Sequence, residues 1–111
     1  GPAVYLANPA EYFCQFGLNI KQRSHFPYTW VVELANGSIG YVPTPEAMGP
    51  QGGGYEPRLC CSSCLVPEAG RLIEDASVEL ANALTPGPEP VAPQVPGVGS
   101  RWTASAPAKD V

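Results

Sequence analysis

An abrupt change of composition after Leu84 limits what this chain can fold into. The segment that follows, residues 85–111, reads TPGPEPVAPQVPGVGSRWTASAPAKDV and is dense in proline, glycine, alanine and serine. Proline has no backbone N–H to donate, and so few apolar side chains cannot offset the entropy lost on ordering. We therefore predict a folded part over residues 1–84 and a disordered or polyproline-like tail over residues 85–111, with Trp102 as its one large apolar anchor.

The folded part is small and carries few charges. A domain of this size buries roughly 60–65% of the surface of its unfolded chain, so it is only modestly stable alone. Charged residues make up 14% of the sequence, whereas roughly 25% is usual for a soluble domain. A small independent protein normally needs a more charged surface, and we expect other polypeptide to cover part of this one.

Charge and hydropathy exclude two classes of partner. The net charge is −4 and the six Lys and Arg residues are dispersed, so we expect no nucleic-acid binding, which needs a basic face. No apolar run approaches the roughly 18 residues of a membrane span, so we expect no transmembrane segment. The chain begins with GPAVYL and lacks an initiator methionine there, which indicates a fragment or a processed product.

Three segments have the composition of β-strands. Ala3–Ala7 is a short apolar run that ends at an Asn-Pro pair, and Tyr28–Leu34 is rich in β-branched and aromatic residues. Asn36-Gly37 is typical of the two-residue turn that joins antiparallel strands. We therefore predict that Ile39–Val42 returns along Tyr28–Leu34 and forms a β-hairpin with it.

Two amphipathic helices are predicted from a periodicity of 3.6 residues. The first covers about Ala10–Arg23, and Gly17 inside it indicates close packing, because glycine there costs ~1 kcal/mol relative to alanine. A single helical turn is expected at Pro45. The second long helix covers Glu68–Leu84, and its apolar side chains form one stripe: Leu72, Ile73, Ala76, Leu80 and Leu84. The fold class predicted is α+β, with the hairpin packed against the two helices.

The stretch GYVPTPEAMGPQGGGYE, residues 40–56, has no hydrophobic periodicity and is rich in glycine and proline. It is either a slack connection or a shaped loop that holds Tyr41 and Tyr55 in place. Glu11 is also ambiguous, because it lies near a predicted helix start among apolar neighbours. Its carboxylate either stabilises the helix N-terminus or binds something.

The cysteines and the single histidine give weaker indications. Cys61 and Cys64 form one CxxC, with Cys60 adjacent and Cys14 distant. A structural zinc site usually has two such pairs, so we favour free thiols over one disulfide, and one disulfide over a metal site. His25 follows a helix end, where a capping or surface role is favoured over a role as a metal ligand.

Three stretches in this order carry a family resemblance: NPAEYFCQFGLNIKQRS, VVELANGSIGYVPTPEA and GGGYEPRL. They make residues Ala3–Leu84 resemble the C-terminal segment of the catalytic domain of the neutral/alkaline ceramidases, in particular bacterial homologues. That family hydrolyses an amide with one zinc ion, held by two His, one Glu and one Tyr. The resemblance places Glu11 on the zinc-ligand glutamate and Tyr41 on the zinc-ligand tyrosine. It places Tyr55 on a second active-site tyrosine, near the reacting amide.

The resemblance implies that residues 1–84 belong to a larger zinc-dependent amidase domain and residues 85–111 are its Pro-rich tail. The family's two histidine ligands come from far upstream, so this chain would hold half of the metal site and be inactive alone. Its partner would be the missing N-terminal part of the catalytic domain, and its substrate a lipid amide of sphingolipid metabolism. A secreted or periplasmic location is implied. Two other hypotheses stay open: a non-catalytic scaffold or partner-binding module, and a cysteine-based redox or metal module.

Overall fold

Parallel strand pairing organises the structure, a computed structural model that describes residues 1–92. Strands β1 (Ala3–Ala7) and β2 (Glu11–Tyr12) are followed by helix α1 (Cys14–Arg23). Strands β3 (Tyr28–Val32) and β4 (Tyr41–Val42) come next. β3 pairs with β1 and β4 pairs with β2, both in parallel. The connection through α1 makes this a β–α–β unit, which parallel strands require because a tight turn cannot join them.

The register between the two paired segments changes along their length. Ala3 lies opposite Tyr28, an offset of 25 residues, whereas Glu11 lies opposite Tyr41, an offset of 30. The chain between β3 and β4 is therefore five residues longer than the chain between β1 and β2. The extra residues lie in the loop 33–40, whose backbone N–H groups at Leu34, Ala35 and Ile39 donate to carbonyls of residues 8–10.

The prediction of an α+β fold is confirmed, but the predicted hairpin is wrong. Asn36 and Gly37 do have positive φ angles, 65° and 150°, as the turn prediction requires. The two residues nevertheless form no hairpin turn, because the chain on both sides of them bonds to the N-terminal segment: the Ala35 N–H donates to the Asn8 carbonyl at 3.0 Å and the Ile39 N–H to the Pro9 carbonyl at 2.8 Å. Long-range pairing with the first strands thus replaces the local pairing of β3 with β4.

The first predicted helix, Ala10–Arg23, begins later than expected, at Cys14. Residues at the expected start are extended, since the Glu11 N–H donates to the carbonyl of Gly40 at 3.0 Å. Two strands are shorter than predicted, since β3 ends at Val32 and β4 begins at Tyr41. Two other local predictions are confirmed. β1 covers its predicted residues, and the single helical turn is α2 (Pro45–Met48). The helices of residues 1–92 are too short or too polar to cross a membrane.

A third helix, α3 (Ala69–Asn82), packs on α1 through a close contact at Gly70. A Cβ there would overlap the ring of Phe16. Tyr12 stacks on the same ring with the centroids 4.7 Å apart, and its hydroxyl donates to the Gly70 carbonyl at 2.6 Å. The core around this contact consists of Ala10, Tyr12, Phe16, Ile20, Val42 and Val78.

Polar contacts complete the interface between α1 and α3. Glu74 is buried, and its carboxylate accepts hydrogen bonds from Asn19 at 2.9 Å and from Arg23 at 2.6 Å. Asn82 closes the C-terminal end of α1, because it accepts from the His25 N–H at 2.8 Å and donates to the Arg23 carbonyl at 3.1 Å. The His25 residue itself is exposed. A buried carboxylate is tolerated here because its charge is paired and hydrogen-bonded.

The predicted apolar stripe of α3 faces mainly solvent, which corrects the sequence analysis. Leu72, Leu80 and Leu84 are 65%, 69% and 57% exposed, and we call these three side chains the leucine ridge. The face of α3 that is buried is instead Gly70, Glu74, Val78 and Ala81. The fit of Gly70 against Phe16 and the pairing of Glu74 with Arg23 fix this rotation of the helix.

The outer side of the β1–β3 sheet is also uncovered. Tyr5 and Trp30 stack there with ring centroids 6.3 Å apart and are 71% and 55% exposed. Tyr28 and Val32 lie on the same side at 42% and 43% exposure, and we call these four side chains the aromatic face. Parallel sheets usually have both faces covered, so the aromatic face is typical of a surface that packs against further polypeptide.

Only residues 85–92 of the predicted tail are described by the structure. No helix or strand follows Asn82 within residues 83–92. One backbone hydrogen bond, from the Gly87 N–H to the Gly1 carbonyl at 2.9 Å, ties this segment to the N-terminus. The rest of the predicted tail, residues 93–111 with Trp102, lies outside the described residues.

The two helical glycines give a matched test of the α1–α3 contact. We expect Gly70→Ala to lower the free energy of unfolding by about 1–3 kcal/mol, because the new methyl group overlaps the Phe16 ring. Gly17→Ala is the control, since a Cβ at Gly17 would have no atom within 4 Å. The close packing predicted at Gly17 is therefore wrong. It should stabilise α1 by about 0.5–1 kcal/mol. Urea unfolding measures both, and equal effects of the two changes would contradict this packing.

Candidate functional site

Glu11 and Tyr41 lie directly opposite each other in the β2–β4 pair. The backbone bond from the Glu11 N–H to the Gly40 carbonyl holds the two strands together at this point. The Glu11 carboxylate also acts on the Tyr41 phenol, whose pKa it raises. Strand pairing therefore brings together two residues that are far apart in sequence. Both residues are half-buried.

Tyr55 joins this pair from the loop that follows α2. Its hydroxyl is 3.4 Å from the Tyr41 hydroxyl, and the two rings meet edge to face at 86° with centroids 5.6 Å apart. An O–H···O distance of 3.4 Å is long for a hydrogen bond, so the ring contact contributes much of the positioning. Tyr55 is 64% exposed, and its hydroxyl is open to solvent or to a ligand.

The surroundings of Tyr41 favour the protonated phenol. The contact with the Tyr55 hydroxyl raises the pKa of Tyr41 well above its ordinary value, and the nearby Glu11 carboxylate raises it further. Ionising Tyr41 beside the Glu11 carboxylate would place two negative charges together. At neutral pH Tyr41 therefore keeps its proton, and its hydroxyl is directed toward the Tyr55 hydroxyl.

The loop between the two tyrosines is shaped, which answers the question left open by its composition. The Tyr41 N–H donates to the Ser62 carbonyl at 2.7 Å. A Cβ at Gly40, where φ is +81°, would overlap that same carbonyl. Further along, a Cβ at Gly52 would overlap the Ala47 carbonyl. Glycine is thus required where the loop passes close to other backbone.

The predicted site residues Glu11, Tyr41 and Tyr55 therefore come together, whereas the cysteines do not join them. All four cysteines are free and exposed. Within residues 1–92, no group of three or more His, Cys, Asp or Glu side chains could hold a metal ion.

The ligands that zinc requires can be compared with the side chains present. A zinc site needs about three protein ligands, drawn from nitrogen, sulfur and carboxylate oxygen. Glu11 offers one carboxylate and Tyr41 one phenol oxygen. The raised pKa keeps the proton on Tyr41 in the metal-free chain, so the phenol would have to give it up to bind zinc. The described residues alone therefore do not fit a complete zinc site, and they fit at most its oxygen side.

Sequence reasoning missed the residues that position this site. Asn8 is 3% exposed, and its Oδ1 accepts from the Ala10 N–H at 3.1 Å, just before Glu11. Asn-Pro sequences favour such side-chain turns, so the Asn8-Pro9 pair was the signal available. Ser62 gave no comparable signal, because its contact with Tyr41 is made by a backbone carbonyl.

Comparison with known proteins adds no relative. No protein-family model, no curated protein and no solved structure matches this chain. The candidate site therefore depends on the geometry of Glu11, Tyr41 and Tyr55 and on the chemistry of their side chains.

The tyrosine pair predicts a change in ionisation. Replacing Tyr55 with phenylalanine removes the hydroxyl that accepts from Tyr41 and stabilises its protonated phenol. We expect the pKa of Tyr41 to fall toward the ordinary value, so that the phenol ionises at lower pH in Tyr55→Phe. An NMR titration of the labelled tyrosine ring carbons measures this, with Tyr5→Phe as control. An unchanged Tyr41 titration in Tyr55→Phe would contradict the contact.

The Gly40 contact predicts a separate effect on the loop. Gly40→Ala should lower the free energy of unfolding by about 1–3 kcal/mol, since alanine must adopt a positive φ and its methyl group overlaps the Ser62 carbonyl. Gly53→Ala is the matched control, because a Cβ there meets nothing within 4 Å. Urea unfolding gives the free energies, and amide shifts of Tyr41 report its displacement. No difference between the two variants would show that the loop does not need glycine at position 40.

Proposed function

We propose that this chain is a segment of a zinc-dependent amidase resembling the neutral ceramidases. Residues 1–84 would form the C-terminal segment of its catalytic domain and would be inactive alone. The reaction is hydrolysis of an N-acyl amide, with a lipid amide of sphingolipid metabolism as the substrate class and a secreted or periplasmic location. The observation that carries this proposal is the meeting of Glu11, Tyr41 and Tyr55.

That meeting supports the proposal because the three residues were selected by family resemblance from separate stretches of sequence. They lie on β2, on β4 and in the loop after α2, and nothing in their spacing along the chain requires contact. The strand register sets Glu11 against Tyr41, and the edge-to-face ring contact adds Tyr55. One carboxylate and two phenols at one place are suited to metal binding and to hydrogen bonding with an oxyanion.

The uncovered surfaces support the proposal that further polypeptide completes the domain. The aromatic face and the leucine ridge together expose seven large side chains of a small unit. Groups of exposed large apolar side chains are typical of surfaces that bind another polypeptide. An upstream part of the same catalytic domain would cover these surfaces and would supply the two histidine ligands.

In such a completed site the residues of this chain have distinct roles. Bound zinc, held by Glu11, Tyr41 and the upstream histidines, would supply a Lewis acid beside the amide carbonyl. Glu11 contributes negative charge that favours a cation. Tyr55 keeps an exposed hydroxyl, which is free to donate to an oxygen of the substrate.

A non-catalytic partner-binding module is the second candidate, and the aromatic face favours it. Tyr and Trp are enriched at protein interfaces because they bury large area at small entropic cost. Under this hypothesis the contact of Glu11 with Tyr41 would serve stability alone. The two candidates differ in whether the Glu11 carboxylate is needed for metal binding.

Zinc binding and hydrolysis test the proposal. By calorimetry we expect the isolated chain to bind zinc weakly or not at all and to hydrolyse no N-acyl amide, because two oxygen ligands cannot compete with water for the ion. Adding the upstream histidine-bearing part should restore both, and Glu11→Ala should then abolish both. Glu79→Gln, an exposed carboxylate change on α3, is the matched control and should retain both.

Three results would overturn the proposal. Tight one-to-one zinc binding by the isolated chain that is lost in Glu11→Ala would refute a half-site. Tight binding lost in Cys61→Ser or Cys64→Ser would establish the cysteine module instead. A completed protein whose zinc binding and hydrolysis survive Glu11→Ala would leave Glu11 without a metal role and favour the partner-binding module.

A further inference from the structure

Strand β3 has a hydrogen-bonded neighbour on one side only. Among residues 1–92, its sheet contains β1 and no third strand. The Tyr28 N–H donates to the Pro2 carbonyl at 3.2 Å, so the backbone groups of Tyr28 are directed toward the N-terminal segment. Because this direction alternates along a strand, Thr29 and Val31 direct their N–H and carbonyl groups away from β1. These two residues therefore form an unpaired sheet edge.

A groove follows this edge between β3 and helix α1. Helix α1 packs mainly on β3, whereas α3 packs on β1. A cavity of about 240 Å³ is lined by Thr29 from the inner face of β3 and by Tyr28 and Trp30 from its outer face. A cavity lined from both faces of a strand lies at the edge of that strand. A second cavity, of about 230 Å³, adjoins Val31, and Lys21 lines both. We call the two cavities together the edge groove.

The helical wall of the edge groove is one stripe of α1, formed by Cys14, Gly17, Leu18 and Lys21. Leu18 is 57% exposed, and a Cβ at Gly17 would have no atom within 4 Å. Glycine inside a helix lowers stability, and here the missing side chain leaves space beside β3. Lys21 forms no ion pair within residues 1–92. The groove thus offers an occupant apolar surface and one positive charge.

We propose that the edge groove binds a β-strand supplied by another polypeptide, which pairs with β3 and extends the sheet. The unpaired groups of Thr29 and Val31 determine the conformation of this occupant, because an extended backbone bonds to a strand edge at alternate residues. The space beside Gly17 and Leu18 requires apolar side chains, and Lys21 requires a carboxylate. In such strand addition the main chain gives affinity and the alternate side chains give specificity.

Two occupants from this chain itself meet these requirements less well. The segment 85–111 is dense in proline, which has no N–H to donate to a ladder. A second copy carries the same net charge of −4, which opposes association, and its own β3 contains no carboxylate to meet Lys21. The proposal is independent of the amidase hypothesis, because it rests on the edge of β3 and not on metal binding.

Amide hydrogen exchange of the full chain tests whether the edge is free. The Trp30 N–H is directed toward β1 and should exchange slowly, whereas the N–H groups of Thr29 and Val31 should exchange at least about tenfold faster. Equal protection of the three amides would overturn the proposal. Protection that rises with protein concentration would place a second copy on the edge, and protection lost on deletion of residues 93–111 would place the tail there.

A tethered strand tests whether the groove accepts an occupant. The sequence TVTVEVT, about as long as a common strand, is joined to Gly1 through a flexible glycine/serine linker. A glycine/serine extension of equal length is the control. The tethered strand should slow exchange at Thr29 and Val31 at least about tenfold relative to the control, because tethering gives an effective concentration in about the millimolar range. Equal exchange in the two chains would overturn the proposal.

Substitutions on α1 then test the assignment of the groove. In the tethered chain, Gly17→Leu fills the groove and should remove the added protection. Gln22→Leu is the matched control, since Gln22 is exposed on α1 outside the groove, and it should retain the protection. Slow exchange at Trp30 shows that both variants are folded. Protection that survives Gly17→Leu would overturn the proposal.

A charge exchange tests the carboxylate. Lys21→Glu should weaken the protection of Thr29 and Val31 severalfold in the tethered chain. Replacing the glutamate of the tethered strand with lysine should restore it, because opposite charges then meet again. Protection that does not respond to either change would overturn the requirement for a carboxylate.

Discussion

Two parallel strands cannot be joined by a tight turn, so the chain between them must travel back along the length of the sheet before it can pair. Helix α1 makes that return here, and the N-terminal segment thereby becomes the partner of both later strands. The register of the second pair places Glu11 opposite Tyr41. Helix α3 then packs on α1, and its contact at Gly70 fixes which of its faces is buried. The candidate site thus depends on strand pairing more than on the loop that carries its second tyrosine.

The side chain and the backbone of Tyr41 are contacted by different parts of the chain. The Tyr55 ring and hydroxyl contact its side chain, and the Ser62 carbonyl accepts from its backbone N–H. Changes in either part can therefore alter the position of the Tyr41 phenol. The apolar surfaces lie elsewhere, on the outer side of the sheet and along α3. A partner that covers the aromatic face and the leucine ridge therefore need not block the open hydroxyl of Tyr55. Such an arrangement is compatible with a segment that completes its domain by association.

Local structure was predictable from the sequence, whereas pairing was not. Asn36 and Gly37 take the expected positive φ angles, yet no hairpin forms, because this pair of residues carries no information about the N-terminal strand that competes for the same backbone. The periodicity of α3 identified an amphipathic helix, but its buried face includes Glu74, whose partner Arg23 lies on another helix. The family resemblance had identified Glu11 and Tyr41 as candidate site residues. Gly40 and Ser62, which position Tyr41, escaped notice because they act through backbone.

Cross-strand NOEs measured by NMR on the labelled chain test the parallel pairing most directly. Parallel and antiparallel ladders bring different backbone protons together, so the two arrangements give distinct patterns. The structure predicts NOEs between the backbone protons of Glu11 and those of Gly40 and Tyr41, with slow exchange of the Glu11 amide. Antiparallel NOEs that connect Val32 with Tyr41, together with a rapidly exchanging Glu11 amide, would contradict the parallel pairing and separate Glu11 from Tyr41.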